Sequence, residues 1–527
     1  MTHRPPPLAA PHAMPFSGQD IRTLIDLQAQ VRGDKPFLIW EPFEGEGETW
    51  AFARFADRVR RFAAALAARG VGLGDRVLVH LDNCPEAAIA WIGCAYAGAV
   101  AVTTNAKSSP DELSYFADHS GAVAAITQPK FASLVNGAAR FKWLAVTETD
   151  NGDAARAGQP DAASSFERLD ADPGTLPPRP HDPLADYSIQ YTSGTTSRPK
   201  AVLWSHANAL WGARINAVHE TLTPHDVHLT TLPLFHTNAQ AYSVLAALWA
   251  GCACILQPRF SASRFWPISL KHRATWASIV PFCLRALMEH EVPRDHSYRL
   301  WGNGACDMPT DAHFRVKTMG WWGMTETITH GTVGQAHLPD LPMSMGRPAP
   351  EYELRVTRDD GRPAELGETG DLAIKGVRGL SLFAEYAGNA QATADAYDEH
   401  GFFLTGDRVT IGPAGYLIFA DRSKDMLKVG GENVAASEVE RVVATVPGVQ
   451  EVAVVAKKHR MLDEVPVVFV IPLPGAPDGL SDAIMTACTA QLATFKRPHE
   501  IRVVDAFPRS TLEKVAKAEL RRMLEET

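Results

Sequence analysis

The stretch DRVLVHLDNCPEAAIAWIGCAYAGAVAVTT, Asp75–Thr104, decides the fold class. Val77, Leu78 and Val79 form a short apolar run suited to a buried strand. Glu86–Ala97 then reads as a helix, Gly98 as its stop, and Val100–Val102 as a second strand. The pattern continues on both sides. Upstream, Phe55, Val59, Phe62 and Leu66 are spaced as one face of a helix that ends at Gly70. Downstream, Ser109-Pro110 opens another helix and Val123–Ile126 reads as a third strand. This alternation predicts an α/β fold with a largely parallel sheet covered by helices.

Five prolines (173, 177, 178, 180 and 183) within Ala171–Asp186 predict an extended connector between units. The α/β patterning then resumes to about residue 340. From Gly346 to Phe419 the chain is strand-rich, with turns at Asp359-Asp360-Gly361, Gly367 and Gly415, which suits a small barrel or a twisted antiparallel sheet. Beyond it the order is helix, strand, strand, helix: Ala436–Thr445, Val449–Ala456, Val465–Ile471 and Ile484–Leu492. That is enough for a small α+β domain. The expected organisation is a large domain over 1–421, barrel-like at about 346–420, and a mobile domain over 422–527. A chain of 527 residues exceeds what one hydrophobic core supports.

A formal charge of −9 provides no bulk attraction for nucleic acid or an anionic membrane, so phosphate ligands would need local loops. The seven cysteines are scattered and form no CxxC pair, which argues against a disulfide framework or a zinc ribbon. Prolines interrupt the N-terminal segment where a signal peptide needs an apolar run. No apolar stretch is long enough to span a membrane. A reducing cytoplasm is the expected compartment.

The strongest local signal is YTSGTTSRPKAV, Tyr191–Val202. Thr192, Ser193, Thr195 and Thr196 supply hydroxyls, Gly194 flexibility and Lys200 a cation, the ingredients of a loop that wraps a polyphosphate. The spacing is not that of a P-loop. Ser197-Arg-Pro-Lys200 matches the S-x-x-K of acyl-serine hydrolases, but Pro199 would interrupt the helix that motif requires. HEVPRDH at 290–296 fails H-E-x-x-H, and Cys252 and Cys254 read as core.

Four further motifs follow in order: WGMTET at 322–327, TGD at 405–407, DRSKDMLKVGGENV at 421–434 and PRSTLEKVAK at 508–517. Together with the first they resemble the acyl-adenylate-forming superfamily over about residues 20–522. TSGTTSRPK and FSASRFW look most like its carnitine and crotonobetaine CoA ligases. The resemblance implies an ATP-dependent acid:CoA ligase whose partners are a small carboxylic acid, ATP, Mg2+ and coenzyme A. Delivery of the acyl group to a carrier-protein thiol or an amine remains an open alternative.

Carried over residue by residue, the resemblance places Thr192, Ser193, Gly194, Thr195, Thr196 and Lys200 around the β- and γ-phosphates. Thr325 would touch the α-phosphate and Glu326 would ligate Mg2+. Trp322 would stack on adenine, Gly304 and Ala305 would let the backbone approach it, and Asp407 with Arg422 would take the ribose. Lys514 would bridge the carboxylate and the α-phosphate during adenylation. A rotation about Lys424 would then replace Lys514 with Gly430 and Gly431, lining a pantetheine tunnel. His236, Asn238, Gln240 and Trp301 are candidate walls of the acyl pocket. The chain departs from the family pattern at Ser197, Ala201 and Glu513, the last placing a carboxylate beside Lys514.

Overall fold

The computed structural model describes residues 5–10, 14–108, 110–148, 150, 165–192, 199–422, 426–429, 432–460, 462–492, 494–509 and 515–525. The chain forms two compact units. The larger comprises Met1–Thr192, Pro199–Glu353 and Lys375–Phe403; the smaller includes Leu354–Ile374 and Leu404–Thr527.

The βαβ unit expected at Asp75–Thr104 is present. The strands Arg76–His80 and Val100–Thr103 flank the helix Pro85–Ala97 and pair in parallel, Val77 opposite Ala101. Pro85 takes the first helical position, where its missing N–H is no loss, and Cys84 Sγ caps the Ala87 N–H at 3.3 Å. Gly98 closes the helix at φ 86°, a left-handed conformation that a Cβ would disfavour. Upstream, Phe55, Val59, Phe62 and Leu66 all lie on the buried face of the helix Phe52–Ala68.

Two sheets build the larger unit. One has seven strands in the order Glu385–Tyr386, Lys200–Ser205, Asp186–Thr192, Val100–Thr103, Arg76–His80, Ala124–Thr127, Leu144–Val146. Its last five strands are parallel. The other has nine, with a parallel centre that includes Ala253–Leu256, Val227–Thr230, Trp276–Ser278, Leu300–Asn303 and Lys317–Trp322. In each sheet one strand has its successors on opposite sides: Arg76–His80 in the first, Val227–Thr230 in the second. The carboxyl ends of such strands are where open α/β sheets bind ligands. Asn83, just beyond the first strand, ties the two ends together. Its Nδ2 donates to Leu232 O at 2.9 Å and Gln257 O at 3.0 Å, and its Oδ1 accepts from Leu234 N–H at 2.7 Å.

Two features differ from the expectation. The connector over Ala171–Asp186 joins two parts of the larger unit rather than two units. It is pinned there because Arg22 Nη2 donates to Pro180 O at 2.8 Å and Arg179 Nη2 to Ala95 O at 2.9 Å. The stretch expected to be barrel-like, about 346–420, divides. Its outer parts contribute a four-stranded sheet, ordered Glu353–Thr357, Thr369–Lys375, Phe403–Ile411, Leu417–Arg422. The part between, Lys375–Phe403, belongs to the larger unit, where Glu385–Tyr386 pairs antiparallel with Lys200–Ser205. Asn208 holds this return, its Nδ2 donating to Leu380 O at 2.7 Å and Leu382 O at 2.9 Å.

The smaller unit also carries a five-stranded sheet built on the long antiparallel pair Val449–His459 and Asp463–Pro472. Alternate residues serve its two faces, as strand periodicity requires. Val454 and Val468 meet Val439 and Val443 of the helix Ala436–Ala444 on one side. Val455, Val467 and Phe469 meet Leu520 of the helix Lys517–Glu525 on the other. No helix among the described residues is long and apolar enough to cross a membrane.

Candidate active site

Three motif segments emerge from the carboxyl ends of parallel strands in the larger unit. Asp186–Thr192 leads into positions 193–198, and Lys200–Ser205 returns antiparallel with Lys200 opposite Thr192. Leu300–Asn303 delivers Gly304 and Ala305, and Lys317–Trp322 delivers Thr325 and Glu326. Ser193, Gly194, Thr195 and Thr196 lie outside the described residues, as do Lys424, Gly430, Gly431 and Lys514.

The turn after Trp322 is held from several directions. Trp204 Nε1 donates to Thr325 O at 2.9 Å, and Phe383 N–H donates to Glu326 O at 2.8 Å. Thr327 Oγ1 accepts from Met324 N–H at 3.0 Å. Gly323 is required by packing, since a Cβ there would lie 2.4 Å from Tyr242 Oη. Glu326 itself is buried, and its Oε1 accepts from Tyr386 Oη at 2.9 Å. The ring of Tyr386 in turn carries Lys200 Nζ, 4.5 Å from its centroid. Burial and the neighbouring Glu326 charge push the Tyr386 phenol far above its usual range, so the hydroxyl remains a donor.

The donor set at Glu326 suits a small hard cation: one carboxylate, completed by phosphate oxygens and water. Among the described residues no group of three or more His, Cys, Asp or Glu could hold a metal ion by itself.

Two glycines separated by one residue differ in what surrounds them. A Cβ on Gly302 would fall 1.6 Å from Trp321 Cη2 and 2.5 Å from Trp276 Cη2, whereas a Cβ on Gly304 would meet nothing within 4 Å. Gly302 serves packing, and Gly304 borders open space. Trp322 is almost entirely buried at the strand end, with its backbone N–H donated to Thr332 Oγ1 at 3.1 Å.

The expected acyl-pocket residues separate. His236 is half-buried, with its ring against Phe235 at 4.4 Å, in the turn that opens a π-helical stretch, Asn238–Leu245. Such stretches concentrate at functional sites. Asn238 Oδ1 is buried and has no hydrogen-bond partner among the described residues. Gln240 is structural instead, its amide donating to Leu234 O at 2.6 Å and Thr103 Oγ1 at 3.2 Å. Trp301 is fully buried between Phe265, 5.8 Å away, and Phe314, 5.1 Å away, so it forms core rather than pocket wall.

In the smaller unit, Asp407 and Arg422 are direct cross-strand partners. Asp407 N–H donates to Thr405 Oγ1 at 3.1 Å, whose own hydroxyl donates to Leu372 O at 2.6 Å. Positions 510–514 are bracketed by a bridge between Arg509 and Val515. Arg509 Nη2 pairs with Glu451 at 2.7 Å and Lys517 Nζ with Glu440 at 2.9 Å, which anchors both flanks.

Comparison with known proteins decides the family. The model of the AMP-binding enzyme family matches residues 25–386, and that of the AMP-binding enzyme C-terminal domain matches 438–514. This chain belongs to the AMP-binding enzymes. The crotonobetaine/carnitine–CoA ligase of Escherichia coli O139:H28 is 33% identical over 530 residues, covering 96% of this AMP-binding enzyme and 99% of the relative. The solved O-succinylbenzoate coenzyme A synthetase of Bacillus subtilis, in complex with ATP and magnesium, is similar with TM-score 0.80 at 25% identity. That match covers 95% of this chain and 99% of the other. A benzoate CoA ligase from Burkholderia xenovorans LB400 is similar with TM-score 0.82, 25% identity and coverage of 95% and 99%.

Sequence reasoning missed Tyr386 and Trp204. Neither stands in a motif. The signal that could have found Tyr386 is an aromatic in a short polar-flanked segment, EYAGNA, too weak to single out alone.

Proposed function

We propose that this AMP-binding enzyme is an ATP-dependent acid:CoA ligase. The carboxylate of a small acid attacks the α-phosphate of ATP, which forms the P–O bond of an acyl-adenylate and releases pyrophosphate. The thiolate of coenzyme A then attacks the acyl carbon, forming the thioester and releasing AMP. The supporting observation is the grouping of Lys200, Tyr386 and Glu326 beside the strands that bracket positions 193–198. A cation and a buried carboxylate stand on two sides of one ring.

In this reading Thr192, Lys200 and residues 193–196 bind the terminal phosphates, and Thr325 the α-phosphate. Glu326 holds Mg2+, which supplies charge neutralisation between the phosphates when bound. Trp322, Gly304 and Ala305 border the adenine, and Asp407 with Arg422 binds the ribose. Lys514 bridges the carboxylate and α-phosphate in the first step. The region from 422 onward forms a domain that pivots at Lys424 and presents Gly430 and Gly431 to the pantetheine arm. His236 and Asn238 border the acyl group. A cytoplasmic location is supported by the seven cysteines, all buried and free.

The test is ATP–pyrophosphate exchange over a panel of short, branched, aromatic and betaine-like acids, followed by AMP release with and without coenzyme A. Acid-dependent exchange, with stoichiometric AMP release only when coenzyme A is added, is expected. Exchange with no effect of coenzyme A would transfer the second step to another thiol or an amine.

A further inference from the structure

We propose that Tyr386 is a positioning residue that sets the cation-binding carboxylate Glu326 and the phosphate-loop lysine Lys200 relative to each other. The proposal rests on the reading of Glu326 as the carboxylate that holds Mg2+ with ATP.

The backbone around Tyr386 leaves it little freedom. Its strand pairs antiparallel with Lys200–Ser205, Tyr386 directly opposite Val202. Ala384 N–H donates to Leu203 O at 2.9 Å and Ala387 N–H to Ala201 O at 2.8 Å, one on either side of the pair. Tyr386 N–H is taken by Thr393 Oγ1 at 3.0 Å. Tyr386 is 4% exposed, and its ring packs against Phe383, 4.7 Å away.

Lys200 lies two residues before Val202, so its side chain is on the same sheet face as Tyr386, at the diagonal position that long side chains and aromatic rings bridge. Its ammonium sits over the ring at 4.5 Å, within the range of a cation–π contact. The hydroxyl of the same ring donates to Glu326 Oε1 at 2.9 Å. From the same segment, Phe383 N–H secures the Glu326 carbonyl at 2.8 Å.

The segment 383–386 thus holds Glu326 by both main chain and side chain. With one carboxylate oxygen fixed by the tyrosine hydroxyl, the direction in which Glu326 offers its charge is set before any nucleotide arrives. The ring fixes the distance at which Lys200 stands from that charge.

The test measures ATP binding by calorimetry, with no acid present, across a series of Mg2+ concentrations. Tyr386→Phe keeps the ring and removes the hydroxyl. It should raise the half-saturating Mg2+ concentration about tenfold, the loss expected for one hydrogen bond to a charged group, and leave ATP affinity at saturating Mg2+ nearly unchanged. Tyr386→Leu removes both contacts and should also weaken ATP binding at saturating Mg2+, by about threefold. A Tyr386→Phe protein with the wild-type Mg2+ dependence overturns the proposal and leaves the ligase reading standing. Equal weakening by both variants at every Mg2+ concentration also overturns it, because that is the mark of a general structural role. Wild-type ATP binding that ignores Mg2+ would overturn both the proposal and the reading of Glu326.

Discussion

Two buried glutamates in the larger unit, Glu326 and Glu220, have opposite surroundings. Glu326 accepts a hydrogen bond from Tyr386, whose ring carries the Lys200 ammonium. Glu220 is fully buried and faces His330 Nε2 at 3.8 Å and His228 Nε2 at 4.0 Å, beyond hydrogen-bond reach. Burial pushes its carboxyl well above the usual carboxylate range, and burial likewise lowers the pKa of both histidines. Around it lie stacked rings, His228 on Trp276 and His330 on Trp321. The first carboxylate is furnished with polar partners near a strand end; the second lies inside the scaffold, where burial favours its neutral form. Burial alone therefore does not mark a functional carboxylate.

The contrast is broken most sharply by replacing each acid with its amide. Glu326→Gln should lower ATP–pyrophosphate exchange by about a hundred- to a thousandfold, the scale of losing one charge-stabilising group. A loss below about tenfold would remove Glu326 from the site. The next effect is on stability. Gly302→Ala should cost about 3 kcal/mol in denaturant unfolding, because its Cβ would collide with Trp321 and Trp276. Gly304→Ala should unfold like wild type and weaken ATP or acid binding instead. Equal stability of the two variants would refute that division.

The smallest change in activity belongs to Glu220→Gln. Exchange should stay within about twofold of wild type, since no step draws on Glu220 and sites without shared partners act independently. Its signature is in stability against pH. In wild type the unfolded chain releases this proton above the ordinary value of 4.5, while the folded chain retains it. Folding stability from this group therefore falls as pH rises past 4.5, and the glutamine variant escapes that loss. The variant's advantage should widen by up to about 1.4 kcal/mol per pH unit. An advantage that stays flat as pH rises past 4.5 would mean Glu220 is ionised in the folded protein as well.

Much of the scaffold was legible because it is local. The apolar spacing of Phe55, Val59, Phe62 and Leu66 marks a helix, and Val77–Val79 marks a strand, without reference to distant residues. The family was legible in the same way, from the composition and order of the motifs. What depends on distant contacts was not. Tyr386 meets Glu326 across 60 residues, and only the return of Lys375–Phe403 to the larger unit brings them together. Gln240 reads as a pocket residue until its bonds to Leu234 and Thr103 are seen. Trp301 alternates with Gly302 on its strand, and the sequence does not say which of the two faces is covered by aromatic core.

The most direct test of the two-step account is Lys514→Ala, assayed separately for adenylate formation from ATP and acid and for thioester formation from supplied acyl-adenylate and coenzyme A. The account predicts that the first reaction is lost and the second retained. Equal loss of both reactions, or adenylation at the wild-type rate, would contradict it.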